Sequence, residues 1–255
     1  VYEKRNTLRK MKQFGLIGLP LGHSFSKKYF TTKFETEDID AQYDLYELQN
    51  VSELLALKEK SQLCGLNVTI PYKQQVIPLL DELDETAAEI GAVNVIKFIR
   101  KDGGLRLKGY NSDAIGFKNS ISPLLKDFHK KALILGTGGA SKAIEYTLRK
   151  LGITTTFVSR AAKAGALTYQ QLTEAVMADY LVIVNASPVG TFPHVDDCPD
   201  IPYQFLGSDH LLFDAVYNPP LTLFLQKGEE QGAQVLNGEG MLIGQAQAAW
   251  KIWEE

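Results

Sequence analysis

The sequence predicts an α/β protein in two parts, each a mainly parallel sheet covered by helices. Strand-like and helix-like periods alternate along nearly the whole chain, which is the pattern of parallel sheets. A glycine turn within ALILGTGGAS, Ala132 to Ser141, joins a buried apolar strand to a helix-forming run and restarts that alternation. The 255 residues, 45% hydrophobic and 22% charged, are enough to bury one large core or two modest ones.

The first half opens as βαβα. FGLIGL (14–19) reads as a strand, Ser26 to Phe34 as a helix, Tyr43 to Glu47 as a strand and Val51 to Lys60 as a helix. Leu66 to Ile70 gives a further strand closing at Pro71, and a helix is expected around Gln74 to Leu80. Ala87 to Ile90 leads into a strand at Val93 to Ile99, and the turn Lys101 to Gly104 pairs it with Leu105 to Tyr110 as a hairpin. A helix begins near Asp113. The second half reads as strand Lys131 to Leu135, helix Ser141 to Leu151, strand Thr154 to Ser159, helix Gln170 to Met177 and strand Tyr180 to Asn185. Strand His210 to Ala215 and helix Pro220 to Gln231 follow. Met241 to Trp253 is a last helix, apolar on more than one face, and needs a surface to pack against, for which the first half is the candidate. The domains expected are 11–112 with 240–255, and 113–239. The charged, aperiodic residues 1–10 are expected to be a dispensable extension.

The net charge of −3 supplies no basic footprint for nucleic acid. No apolar run reaches the length of a membrane span, and VYEKRNTLRK carries no secretory pattern, so a cytoplasmic protein is expected. Cys64 and Cys198 lie far apart outside any CxxC context, and His23, His129, His194 and His210 have no metal-ligand spacing; neither a disulfide framework nor a metal is expected.

Gly136, Gly138 and Gly139 follow a buried strand and open a helix. Without side chains they let the backbone approach a pyrophosphate, and the amides and dipole of the new helix favour its charge. The GxGGA spacing departs from GxGxxG, and a plain strand–helix turn is the alternative reading. The second half is thereby Rossmann-like. At the end of its second strand, where an NAD enzyme usually offers a carboxylate to the ribose, the chain offers Arg160, with Lys163 nearby. A guanidinium suits a 2′-phosphate, so NADP is expected over NAD.

GLPLGHSFS (Gly18 to Ser26), NVTIPYK (Asn67 to Lys73), GAVNV (Gly91 to Val95) and GYNSD (Gly109 to Asp113) occur in that order, followed by GTGGAS, NASPVGT (Asn185 to Thr191), DAVYNP (Asp214 to Pro219) and NGEGMLIGQ (Asn237 to Gln245). The ordered set, spanning nearly everything from Phe14 onward, closely resembles the shikimate dehydrogenase family. Lys27 stands where that pattern has proline, Val95 and Ser112 where threonines are frequent, Ser159 where asparagine precedes the arginine, and Ala246 where glycine follows the glutamine.

The resemblance implies an N-terminal substrate domain joined to an NADP-binding one and the reversible reduction of 3-dehydroshikimate to shikimate by NADPH. It assigns Ser24 and Ser26, with Tyr217, to the substrate carboxylate, and Asn67, Thr69, Asn94 and Gln245 to the ring hydroxyls. It makes Lys73 and Asp113 the proton-handling pair. For the cofactor it implies Gly136, Gly138, Gly139, Ala140, Ser159, Arg160, Asn185, Ser187 and Gly238, with no metal, in a monomer or homodimer that engages neither nucleic acid nor membrane. On the residues alone, Ser26 serves equally as a helix N-cap, Lys73 as a solvated helix-start lysine and Asp113 as an Asx cap. A relaxed quinate/shikimate dehydrogenase shares these motifs, and a non-catalytic ring-acid or nucleotide sensor is the reading from another class. Turnover with quinate separates the first, and binding without turnover the second.

Overall fold

The computed structural model describes residues 11–22, 24–60 and 62–255; the expected extension, residues 1–10, lies outside them. The described residues divide into two compact units. One holds the chain up to Ala87, Val93–Tyr110 and Ile252–Glu255; the other holds Ala88–Ala92 and Asn111–Lys251. Among the described residues no helix is long and apolar enough to cross a membrane.

The first unit runs β1 (Lys12–Gly18), α1 (Phe25–Thr36), β2 (Ala41–Glu47), a 3-10 turn, α2 (Leu54–Lys58), β3 (Leu63–Val68), a second 3-10 turn (Ile77–Leu79) and β4 (Glu82–Leu83). Then α3 (Glu85–Ile90) leads out of the unit, and β5 (Val95–Lys101) and β6 (Gly104–Tyr110) complete the sheet. Its order is β2-β1-β3-β5-β6-β4. β1 is parallel to β2 and β3, and β4 to β6, while β5 is antiparallel to both neighbours. That reversal follows from the expected hairpin: Asp102 (φ 53°) and Gly103 (φ 77°) form a two-residue turn whose left-handed backbone matches the strand twist. The sheet buries Ile17, Leu54, Leu63, Leu66, Ile96 and Leu107 in one cluster. Elsewhere in the unit Trp253 packs against Phe14 and Phe30, with ring centroids at 4.8 and 5.2 Å, and donates its indole N–H to the carbonyl of Ile96 at 3.1 Å.

The helix expected over Gln74 to Leu80 does not form. The segment closes by three-residue steps, Ile77 N–H to Gln74 and Leu79 N–H to Val76. Pro78 supplies no N–H and disfavours a helical residue before it, which limits the run to the 3-10 turn.

The second unit contains α4 (Asp113–Ile121), β7 (Lys131–Leu135), α5 (Gly139–Lys150), β8 (Thr154–Ser159), β9 (Ala166–Thr168), α6 (Glu174–Asp179) and β10 (Val182–Asn185). It continues with β11 (Leu211–Asp214), α7 (Leu223–Glu230), β12 (Gln234–Leu236) and most of α8 (Glu239–Glu254). All strand pairs are parallel, in the order β12-β11-β10-β7-β8-β9. Counted from β7 and read from the β9 edge this is third, second, first, fourth, fifth, sixth, the doubly wound order whose reversal falls between β7 and β10. Two helices start later than their periodicity suggests because threonines cap them: Thr173 accepts the N–H of Val176, and Thr222 that of Leu225. The three-residue strands β9 and β12 have no sequence period long enough to be read.

Candidate active site

In the first unit the implied substrate residues cluster at the C-terminal ends of β1 and β3. Ser24, rather than Ser26, is the N-cap of α1: its Oγ accepts the N–H of Lys27 at 3.2 Å, which leaves the hydroxyl hydrogen outside that bond. Ser26, the second residue of the helix, stands near enough to the phenol of Tyr43 to oppose the effect of burial on it. Tyr43 donates to Oδ1 of Asn67 at 2.7 Å, and Nδ2 of Asn67 reaches the carbonyl of Asn94 at 3.4 Å. Asn67 and Asn94 are both buried. The carbonyl of Asn94 also takes the N–H of Val68 at 2.8 Å, so the end of β3 and the approach to β5 are tied twice. Thr69 is half-buried and returns its N–H to Ile17 of β1. Lys73 is half-buried, its carbonyl accepting the N–H of Val93 at 2.7 Å. Lys27, the residue that replaces proline, extends its ammonium to the backbone carbonyl of Tyr43 and lies 3.3 Å from Asp44.

In the second unit Asp113 is buried as the first residue of α4; Ser112 holds the N-cap position without a side-chain cap bond. Asn111 accepts the N–H of Ala114 instead, so the Asx-cap role belongs to Asn111. Gln245 is buried on α8 and donates to the carbonyl of Leu242 at 2.9 Å; Tyr217, after β11, is exposed.

The residues implied for the cofactor all follow strand ends of this sheet, where ligands of doubly wound folds bind. Gly136 leaves β7 at φ 111°, a conformation reserved for glycine, and a Cβ there would crowd Ala186 and Ser187 at 3.3 Å. Gly138 caps α5 with no side-chain bond, and nothing lies within 4 Å of where its Cβ would stand, so the helix opening is accessible to a diphosphate. Gly139 and Ala140 are the first residues of that helix. Ser159 ends β8 and Arg160 beyond it is exposed. A cleft of about 280 Å³ is lined by Thr137, Ser141 and Lys142 on one side and Lys163 and Gly165 on the other. Two lysines, Lys142 in the first turn of α5 and Lys163 beyond β8, suit an anionic group there. Asn185, buried at the end of β10, receives both the N–H and the hydroxyl of Ser187 on Oδ1. Gly238, after β12, leaves no room for a side chain, since a Cβ would stand 2.3 Å from the carbonyl oxygen of Ala215. These residues fit NADP.

Two groups not singled out in the sequence complete the arrangement. Tyr43 donates to Asn67 with Ser26 nearby; its only sequence signal is an aromatic in a strand, which periodicity assigns to packing. Asp214, at the end of β11, accepts from Nδ2 of Asn185 at 2.9 Å, the N–H of Val216 at 2.9 Å and the hydroxyl of Thr222 at 2.6 Å. It stands in the DAVYNP motif, where sequence alone gives it no role.

Burial raises Asp214 from 3.8 to about 6, with its three donors holding it lower than burial alone would. A raised folded-state pKa means that ionisation costs the folded protein more than the unfolded chain. The stability this group contributes is full below about pH 4 and is lost as pH rises through about 6, on the order of 3 kcal/mol in all. Asp214→Asn is expected to lack this loss. The melting temperature of the variant relative to wild type should therefore rise by several degrees between about pH 4 and pH 7.5, and a pH-independent difference would refute the shift.

A doubly wound unit with an open diphosphate turn, and a second α/β unit with a polar cluster at its strand ends, define a two-unit nucleotide-dependent dehydrogenase. The family model described as shikimate dehydrogenase substrate binding domain matches residues 16–96. A shikimate dehydrogenase (NADP(+)) of Halothermothrix orenii is 38% identical over 266 residues, covering 94% of this chain and 89% of that protein. The crystal structure of shikimate dehydrogenase from Aquifex aeolicus aligns with a TM-score of 0.82 at 34% identity, covering 95% of this chain and 92% of its own. That of the Thermus thermophilus enzyme, in complex with NADP(H) and shikimate, aligns with a TM-score of 0.82 at 28% identity, covering 95% and 93%. The chain belongs to the shikimate dehydrogenase family.

Proposed function

We propose that this protein catalyses the NADP-dependent interconversion of 3-dehydroshikimate and shikimate, the first unit holding the ring acid and the second the dinucleotide. The observation that carries this reading is the polar cluster of Ser24, Ser26, Asn67 and Asn94 at the ends of β1 and β3, in a chain related along its length to shikimate dehydrogenases. A ring bearing a carboxylate and three hydroxyls requires fixed anion donors and several amide partners. Ser24 and Ser26, with Tyr217, bind the carboxylate; Asn67, Thr69, Asn94 and Gln245 bind the hydroxyls.

NADPH supplies the hydride that reaches the ketone carbon in the reducing direction. Lys73 delivers the proton to the ketone oxygen and recovers it in reverse, with Asp113 as its partner in the pair. Gly136, Gly138, Gly139 and Ala140 admit the diphosphate, Ser159 and Arg160 hold the adenosine end, and Asn185, Ser187 and Gly238 shape the loops around the rest. The protein acts as a monomer or homodimer in the cytoplasm.

Mixing the protein with shikimate and NADP and following absorbance of the reduced cofactor tests the reading, with NAD and quinate as parallel arms. Shikimate-dependent reduction of NADP supports it, and folded protein silent with every pair overturns it. Arg160→Ala is expected to raise KM for NADP by about 10- to 100-fold, the worth of a charge-assisted contact to the 2′-phosphate, and to leave KM for NAD unchanged. An equal effect on both cofactors would remove Arg160 from the 2′-phosphate.

A further inference from the structure

We infer that Tyr43 is a positioning residue for the substrate site: its phenol fixes the amide of Asn67 so that this side chain meets the ring as a hydrogen-bond donor. The inference rests on the function proposed above and adds a residue and a polarity to it.

The hydrogen inventory carries it. A phenol has one hydrogen, and that of Tyr43 goes to Oδ1 of Asn67 at 2.7 Å. Ser26 stands beside the phenol and lowers its pKa, the influence of a donor facing the phenol oxygen. With Oδ1 engaged, Nδ2 of Asn67 faces the carbonyl of Asn94 at 3.4 Å, which accepts one N–H and leaves the other for a ligand. The reversed amide would set Oδ1 against that carbonyl, acceptor against acceptor, and Nδ2 against the phenol, whose hydrogen would then lose the amide oxygen as its acceptor.

Tyr43 is held for this task. It is 1% exposed and its ring stacks on Phe30 at 4.8 Å with 13° between planes, beside Trp253 at 6.4 Å. Burial pushes its hydroxyl well above the usual range for a phenol, so it stays protonated and donating wherever the enzyme works. With Tyr43 on Oδ1 and the Asn94 carbonyl on one N–H of Nδ2, the group Asn67 offers the ring is the other N–H, and the ring hydroxyl opposite it is read as an acceptor.

A double-mutant cycle with Tyr43→Phe and Asn67→Ala tests this, because phenylalanine keeps the stacked ring and removes only the hydroxyl. Tyr43→Phe is expected to lower kcat/KM for shikimate by about tenfold with KM for NADP unchanged. Asn67→Ala should cost about tenfold or more in the wild-type background and less than about threefold in the Tyr43→Phe background, since the amide is already unfixed there. A packing role alone would give additive losses and would overturn the inference, as would wild-type kcat/KM in Tyr43→Phe. If the wild-type protein itself fails to turn over shikimate, the proposed function falls and takes this inference with it; shikimate turnover with an additive cycle sinks the inference alone.

Discussion

Lys73→Ala is expected to lower kcat and kcat/KM for shikimate together, by about 10²- to 10⁴-fold, while KM for NADP and the melting temperature stay near wild type. The size is that of a positioned general acid–base removed from a reaction that moves a proton with the hydride. Equal loss in both parameters is the signature of an interaction made only in the transition state. The fold should tolerate the change, because the tie between Lys73 and Val93 uses the backbone carbonyl, which alanine retains. Steady-state kinetics in both directions check it, and a kcat within a few-fold of wild type would take the proton transfer away from Lys73.

Trp253→Ala should produce the largest loss of stability, about 3–5 kcal/mol, read as a fall in melting temperature on the order of 10 °C. The indole fills the space between Phe14 and Phe30, and its N–H is the partner of the carbonyl of Ile96. Truncation leaves a cavity and removes the indole donor from that carbonyl of β5. Gly65→Ala should act on the same spot from the other side, because a Cβ on Gly65 would fall 2.2 Å from the indole nitrogen. The two changes should therefore combine to less than the sum of their separate losses. Urea denaturation of the single and double variants measures this, and a loss below about 1 kcal/mol for Trp253→Ala would show that the chain end contributes little.

The doubly wound half was legible because its central strands β7, β10 and β11 are buried throughout most of their length and glycines punctuate the chain: β7, β8 and β10 fall at Lys131–Leu135, Thr154–Ser159 and Val182–Asn185. The hairpin at Asp102–Gly103 announced itself through turn chemistry. Short elements were not legible. β4, β9 and β12 are two or three residues long, and the segment after Pro71 carries an apolar spacing compatible with a helix that Pro78 prevents. Among site residues the ordered motifs pointed to Ser24, Ser26, Asn67 and Asn94, and two of these, Asn67 and Asn94, join one hydrogen-bonded chain. The link in that chain, Tyr43, was hidden because its burial among Phe30 and Trp253 gives it the pattern of a core aromatic. Asp214 was hidden for a different reason: its partners Asn185, at the end of β10, and Thr222, at the cap of α7, are far from each other in sequence and meet at it only in the fold.

Lys27 has a consequence for how copies of this chain keep apart. β2 is the outer strand of its sheet, paired only with β1, and an outer strand invites another chain to extend the ladder. The ammonium of Lys27 already occupies the carbonyl of Tyr43 and is balanced by Asp44. A foreign strand laid along this edge would have to evict a charged group from its acceptor and bury what remained. Proline at position 27 would have no such charge to set there; lysine puts one on the rim of the sheet, the kind of group that guards an outer strand.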